Sequence, residues 1–231
     1  MKGTIGFGYN EKVKRTPPAL LKQLEGVASS TITDAQRRTG TMHPRIKPIA
    51  KGSRIVGNAL TVELPPGDNF MLYVALKLAE PGDILVVTTQ GNQTKAVWGE
   101  LMTQSAQALR LGGIVIDGFI RDKTANQERD LPIFCQGTVP VSVEKNGPGF
   151  VNGEISCGDV TVRPGDVIVG DDDGIVVIKQ ENVAAVIEQL GAIEKREEQR
   201  VAEIAAGQVL PAWVEDKMKE VDLVTGKRVL E

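Results

Sequence analysis

The 231-residue chain predicts an α/β fold of mixed sheets with helices on both sides, and three observations carry that prediction. Between residues 84 and 135, strand-length apolar runs alternate with helix-spaced segments in the order strand, helix, strand, helix, strand, as in a βαβ unit with parallel pairing. After Gly147 the texture changes to short β-branched runs separated by tight turns. Residues 181–206 then read as one long helix, apolar at first and heavily charged later.

Each element follows from local chemistry. Pro17-Pro18 open a helix over PALLKQLEGV, because a proline in the first helical turn gives up an N–H that had no partner there. Thr33 or Asp34 caps a second short helix, DAQRRTG, ending at Gly40. Ile55-Val56 and Ala59-Leu60-Thr61-Val62 read as extended. Asp68 caps a helix whose Met71, Leu72, Ala75, Leu76 and Leu78 keep helical spacing, and Glu80-Pro81-Gly82-Asp83 ends it. Ile84-Leu85-Val86-Val87 is a buried strand.

The loop TTQGNQTKAVWGE leads to a third helix with Trp98, Leu101, Met102, Ser105, Ala106 and Leu109 on one stripe, stopped by Gly112-Gly113. Ile114-Val115-Ile116 is the next strand and ends in a turn at Gly118. A short polar helix or loop follows, then a strand at Pro132-Ile133-Phe134-Cys135. Further strands lie at Ile155, Val160-Thr161-Val162, Val167-Ile168-Val169 and Ile175-Val176-Val177-Ile178. The echo of EPGDILVV in RPGDVIVG is one turn chemistry used twice, proline fixing the first turn position and glycine supplying positive φ. The chain reads as a single domain over 1–231, with the helix and tail of 181–231 docking on that domain or contacting a neighbouring subunit.

Composition narrows the function. With 41% hydrophobic and 25% charged residues the chain is an ordinary globular protein. Aromatic residues at 4% and a net charge of −3 argue against a nucleic-acid partner. No apolar run approaches a membrane span, and MKGTIGFGYNEKVKR lacks the apolar middle of a secretory leader. Cys135 and Cys157 read as buried free thiols, so the expected compartment is the cytoplasm.

Familiar catalytic signatures are absent: no phosphate loop, no dinucleotide fingerprint, and one histidine, His43, in a loop before a proline. Three constellations remain. Gly99-Glu100-Leu101-Met102 starts a helix, where unpaired N–H groups and the dipole favour an anion. The plainer reading is an ordinary helix start with Glu100 set against the dipole. Arg121-Asp122 lies beyond a strand's C-terminal end, where open α/β sheets bind ligands. There the arginine suits a carboxylate and the aspartate a hard cation; the plainer reading is a surface ion pair. Asp171-Asp172-Asp173-Gly174 lacks the ligand spacing of a calcium loop and reads as a hairpin turn. Because the first two constellations sit on consecutive arms of the βαβ unit, they are expected to converge.

In order along the chain, TITDAQ, IKPIAKGSRIVGNALTVELPPGDN, EPGDILVV, WGELM, LGGIVIDGFIRD, LPIFCQG and RPGDVIVGDDDGIVVI resemble the RraA-like proteins. These include the class II 4-hydroxy-4-methyl-2-oxoglutarate/4-carboxy-4-hydroxy-2-oxoadipate aldolases. The resemblance implies a swivelling β/β/α fold and a homotrimer, sometimes stacked into a hexamer, with sites between subunits. It implies that the Leu101 and Met102 amides, beside Gly99, bind a pyruvyl carboxylate and that Arg121 contacts the same group. Asp122 would ligate Mg²⁺ or Mn²⁺, and Glu100 would hold a catalytic water. A glutamate of a neighbouring subunit, Glu194, Glu197 or Glu198, would complete the outer shell. The activity implied is aldol cleavage of a small 2-oxo acid to pyruvate, with oxaloacetate decarboxylation, through a metal-stabilised enolate. The family's namesake instead regulates ribonuclease E by protein–protein binding. One departure stands out: the aldolase motif carries an acid three residues after the aspartate, and this chain has Ala125.

Overall fold

The computed structural model describes residues 2–92 and 94–221. The chain divides into two compact units, Met1–Leu190 and Gly191–Glu231. The first opens with β1 (Lys2–Thr4) and β2 (Phe7–Tyr9), paired antiparallel, then α1 (Pro18–Leu21) and α2 (Ser29–Ala35). β3 (Lys47–Pro48), β4 (Ile55–Glu63), α3 (Phe70–Leu78), β5 (Ile84–Thr88) and β6 (Ala96–Trp98) follow. Next come α4 (Glu100–Ala108), β7 (Gly113–Ile120), α5 (Lys123–Gln127) and β8 (Ile133–Thr138). β9 (Gly149–Val151), β10 (Ile155–Cys157), β11 (Val160–Val162), β12 (Val167–Asp171) and β13 (Gly174–Ile178) lead to α6 (Val183–Ala205). The residues of α6 from 191 onward belong to the second unit, together with α7 (Trp213–Glu220). Of the tail expected to dock, residues 222–231 lie outside the described residues.

The expected parallel unit forms the centre, with β4, β5, β7 and β8 adjacent and parallel in that order. Alternation along these strands sends side chains to two different cores. Leu85, Val87, Ile114, Ile116, Ile133 and Cys135 pack under α3 and α4 with Leu72, Trp98 and Ala106. Ile84, Val86, Val115 and Phe134 face the other way, against Ile155, Val162, Ile168 and Val177 of the later strands. Beyond that second strand layer, Val167, Val169, Val176 and Ile178 meet Leu24 from the turn after α1, Ile32 of α2, and Val183 and Val186 of α6. Helices therefore lie on both sides, but two layers of strands separate them.

β4 joins the layers. Its first half pairs antiparallel with β12, Ile55 opposite Gly170, and its second half pairs parallel with β5, Ala59 opposite Ile84. The two Pro-Gly-Asp turns behave alike. Gly82 and Gly165 have φ of +87° and +85°. Asp83 Oδ2 accepts from the Glu80 N–H at 2.9 Å, and Asp166 Oδ2 from the Arg163 N–H at 2.8 Å. Each buried carboxylate also meets a cation, Arg15 for Asp83 and Lys179 for Asp166.

Three local readings are corrected. The second helix ends at Ala35, near where it was expected to begin, because its cap is tertiary: Asp171 of the β12–β13 hairpin accepts from the Ser29 N–H and hydroxyl. Arg37 and Arg38 then take left-handed φ of 55° and 64°. Leu101 of α4 is 76% exposed and Leu109, just past its end, 39%, so the apolar stripe is only partly a core stripe. Gly118 makes no turn; β7 runs on to Ile120, and the glycine is needed because a Cβ there would lie 2.7 Å from Thr89.

The aspartate run is a hairpin turn, as read: β12 and β13 pair antiparallel up to Asp171 opposite Gly174. Cys135 and Cys157 are free and buried, and burial pushes the Cys135 thiol up to about 11. Among the described residues no helix is long and apolar enough to cross a membrane.

Asp117 ties the second strand layer to the centre of β7. Its carboxylate accepts from Arg45 Nε and Nη2 at 3.0 and 2.9 Å, from the Gly158 N–H at 2.8 Å and from Gln136 at 2.5 Å. Burial pushes this carboxyl up, yet the Arg45, Gly158 and Gln136 hydrogen bonds outweigh it and hold it below its ordinary value. A depressed carboxylate contributes stability above the unfolded pKa of about 3.9 and loses it as pH falls through the folded one. Asp117→Asn is therefore expected to cost about 2 kcal/mol at pH 7 in urea unfolding followed by circular dichroism. The gap to the parent protein should close below about pH 4; a gap that stays constant with pH would refute the assignment.

Candidate active site

Two strand ends meet to build the site. β6 pairs in parallel with the last residues of β7, Ala96 opposite Phe119 and Trp98 opposite Ile120. The Arg121 N–H donates to the Trp98 carbonyl at 2.9 Å, so the chain segments leaving both strands run side by side. The expected convergence of Gly99-Glu100 with Arg121-Asp122 is realised by this short strand. Periodicity reads Ala96-Val97 as loop and sets Trp98 on the helical stripe, and the structure corrects both, because three residues are too few to show a period.

Asp122 adopts the left-handed conformation, φ 58° and ψ 43°, which turns its carboxylate back toward the start of α4. Oδ2 accepts from the Glu100 N–H at 3.1 Å and lies 3.5 Å from Arg121 Nε. Both side chains are roughly half exposed. Gly99 is extended, a conformation open to any residue, so its value is steric: a Cβ there would sit 2.8 Å from Asp122 Oδ2 and 3.0 Å from Arg121 Nε.

The amides at this helix start are not equivalent. Glu100 gives its N–H to Asp122, and Met102 gives its own to the Gly99 carbonyl at 3.1 Å. Among the described residues no acceptor is paired with the Leu101 N–H. It is the open donor that an anion would take. The Glu100 carboxylate is engaged elsewhere, ion-paired with Arg129 and accepting from Gln104 at 3.1 Å.

A cavity of about 220 Å³ opens beside these groups, lined by Gly99, Leu101, Met102 and Arg121 from the expected set. Its other walls include Asn69, Tyr73, Trp98, Ser142 and Lys145, none of which sequence reasoning had singled out for the site. Asn69 is 6% exposed; its Nδ2 donates to the Val97 carbonyl at 2.8 Å, while its Oδ1 is buried with no partner. Lys145 places Nζ 5.6 Å from the centroid of the Tyr73 ring. It reaches the cavity because residues 141–144 pair with two distant segments, Ala96 opposite Ser142 and Asp68 opposite Glu144. Asn69 does stand beside the Asp68 cap, so a cap carrying a second polar residue was the available signal. For Lys145 there was none.

The residues present fit a hard divalent cation held openly. Asp122 presents one partly exposed carboxylate, and Mg²⁺ keeps several waters while using one or two carboxylates plus substrate oxygens. Among the described residues no group of three or more His, Cys, Asp and Glu gathers to enclose a metal. Ala125, in α5, adds no carboxylate, and Glu194, Glu197 and Glu198 lie in the second compact unit.

The Aldolase/RraA model of the RraA-like family matches residues 29–177. A protein of Halalkalibacterium halodurans named "Putative 4-hydroxy-4-methyl-2-oxoglutarate aldolase" is 36% identical over 186 residues, covering 79% of this chain and 89% of that protein. The solved structure of an uncharacterized protein from Pseudomonas syringae pv. tomato superposes with a TM-score of 0.74 at 27% identity, over 84% of this chain and 96% of that one. RraAS2 of Streptomyces coelicolor, described as an unusual member of the RNase ES inhibitor RraA protein family, gives a TM-score of 0.72 at 28% identity, covering 80% and 96% of the two chains.

Proposed function

This chain belongs to the RraA-like family, and from that premise we propose that it is a lyase dependent on Mg²⁺ or Mn²⁺. In this reading it cleaves 4-hydroxy-2-oxo acids of the 4-hydroxy-4-methyl-2-oxoglutarate type to pyruvate and decarboxylates oxaloacetate. The observation that carries the reading is convergence: Gly99, Leu101, Met102 and Arg121 line one cavity of about 220 Å³, and Asp122, outside that lining, sets its carboxylate 3.5 Å from Arg121 Nε. That volume falls below the roughly 300–1,000 Å³ of drug-sized pockets and suits a small acid.

The chain's own groups divide the work. Arg121 grips the 2-oxo acid through its planar fork, and the open Leu101 N–H receives the adjacent carboxylate at the helix N-terminus. Gly99 leaves room for that approach. Lys145 supplies positive charge for a second carboxylate. Asp122 would hold the cation, which supplies Lewis-acid polarisation of the 2-keto oxygen. A water beside Glu100 takes the proton of the C4 hydroxyl as the C3–C4 bond breaks, its electron pair passing into the enolate of pyruvate. Oxaloacetate decarboxylation reaches the same enolate without that base. The assembly belonging to this reading is a homotrimer, alone or stacked into a hexamer, in which Glu194, Glu197 or Glu198 of a neighbouring copy completes the site.

The test is a coupled pyruvate assay. Purified protein with Mg²⁺ is expected to release pyruvate from oxaloacetate or 4-hydroxy-4-methyl-2-oxoglutarate, and EDTA to stop it. Ala125 in place of the motif acid, together with the likeness to the RNase ES inhibitor family member, favours a second reading, a non-catalytic regulator of ribonuclease E. No pyruvate from any 2-oxo acid tested, with stoichiometric binding to the ribonuclease, would select it.

A further inference from the structure

Beneath the site, four residues close a ring of hydrogen bonds. The Trp98 indole N–H donates to Thr103 Oγ1 at 2.8 Å, and Thr103 Oγ1 lies 2.6 Å from Asn126 Oδ1. Asn126 Nδ2 donates to the Arg121 carbonyl at 2.8 Å, and the Arg121 N–H returns to the Trp98 carbonyl at 2.9 Å. Trp98 and Asn126 are 1% exposed and Thr103 is 0% exposed.

Donor chemistry gives the ring one direction. An indole N–H can only donate, so the threonine hydroxyl accepts there and keeps its single proton to give. Its other acceptor, the Gly99 carbonyl, is 3.5 Å away, so the proton goes to Asn126. The Asn126 amide is oriented unambiguously, since reversing it would set Oδ1 against the Arg121 carbonyl, acceptor to acceptor. The Arg121 residue is thereby held on both sides, its N–H by Trp98 and its C=O by Asn126. That carbonyl belongs to the peptide from which Asp122 turns into its left-handed conformation, one that a residue with a side chain rarely adopts.

We propose that Thr103 and Asn126, with the Trp98 indole, are positioning residues whose closed ring sets the Arg121 guanidinium in the cavity wall and the Asp122 carboxylate beside it. Ligand affinity at the surface is set by hydrogen bonds in the core. The metal-binding and kinetic consequences rest on the lyase reading; the conformational consequence does not.

The experiment uses the full chain with Trp213→Phe, which leaves Trp98 as the sole tryptophan. Thr103→Val keeps the shape and removes both hydroxyl bonds; Thr103→Ser keeps the hydroxyl. Thr103→Val is expected to speed hydrogen exchange over residues 119–124, shift Trp98 emission, weaken Mn²⁺ binding about tenfold by electron paramagnetic resonance, and raise KM more than it lowers kcat. Thr103→Ser should restore all four. Should Thr103→Val not fold, Asn126→Asp, which sets a carboxylate against the Arg121 carbonyl, is expected to give the same pattern. A folded variant with unchanged exchange over 119–124 overturns the proposal, whether or not the parent releases pyruvate. Faster exchange in the variant, when the parent binds no Mn²⁺ and releases no pyruvate, upholds the ring and sinks the lyase reading instead.

Discussion

Arg121→Ala is expected to lower kcat/KM for pyruvate release about 10³-fold, on the order of 4 kcal/mol of transition-state stabilisation, the cost of deleting one preorganised donor. Stability should be almost untouched. The side chain is 44% exposed and its ion-pair partner is Asp122 at 3.5 Å, a spacing that adds little in water. The turn is held by the Arg121 backbone, which alanine keeps. Arg121→Lys should recover little, because an ammonium cannot form two parallel bonds to a planar acid. A coupled assay beside a urea titration checks both halves. Activity within fivefold of the parent would place the chemistry elsewhere.

Gly99→Ala should cost about 10²-fold in kcat/KM while the unfolding midpoint stays within a few degrees of the parent. The backbone at Gly99 suits alanine, and the atoms its Cβ would strike are side-chain atoms, Asp122 Oδ2 and Arg121 Nε. Those groups can swing aside at little cost to folding, and swinging aside removes them from the cavity. Gly57 makes the opposite case: its Cβ would lie 2.3 Å from the Gly82 carbonyl, where only the backbone could yield. Gly57→Ala should damage stability and Gly99→Ala should damage activity. Identical losses in both assays for both variants would dismiss the distinction.

What the sequence made legible was whatever depends on neighbours along the chain. The β5, β7 and β8 runs, the α3 cap at Asp68 and the repeated Pro-Gly-Asp turn are local, and each was readable. The Gly99 and Arg121 segments were readable as ends of consecutive arms in one unit. What escaped was assembled across distance. α2 takes its cap from Asp171, 142 residues away, which moves the helix off its local signal. β6 exists only because β7 offers it an edge, and Lys145 enters the cavity on pairings with Ala96 and Asp68 segments that no spacing announces. Leu101 misled in a different way. A leucine at helical spacing reads as core, yet here it is exposed, and the proposed site draws on its backbone N–H.

That last arrangement has a consequence for how such a site is found by genetics. A mutational scan removes side chains, and the Leu101 N–H survives replacement by any residue except proline. Under the proposed function, alanine scanning across 99–126 would flag Arg121 and Asp122 and pass over position 101 as tolerant, reporting half of the proposed anion site as empty ground. Only a change to the peptide link itself, an ester in place of the Leu101 amide, would expose the missing half. Tolerance to substitution at Leu101 is therefore the expected mark of main-chain recognition, and sequence drift at that position would say nothing against its use.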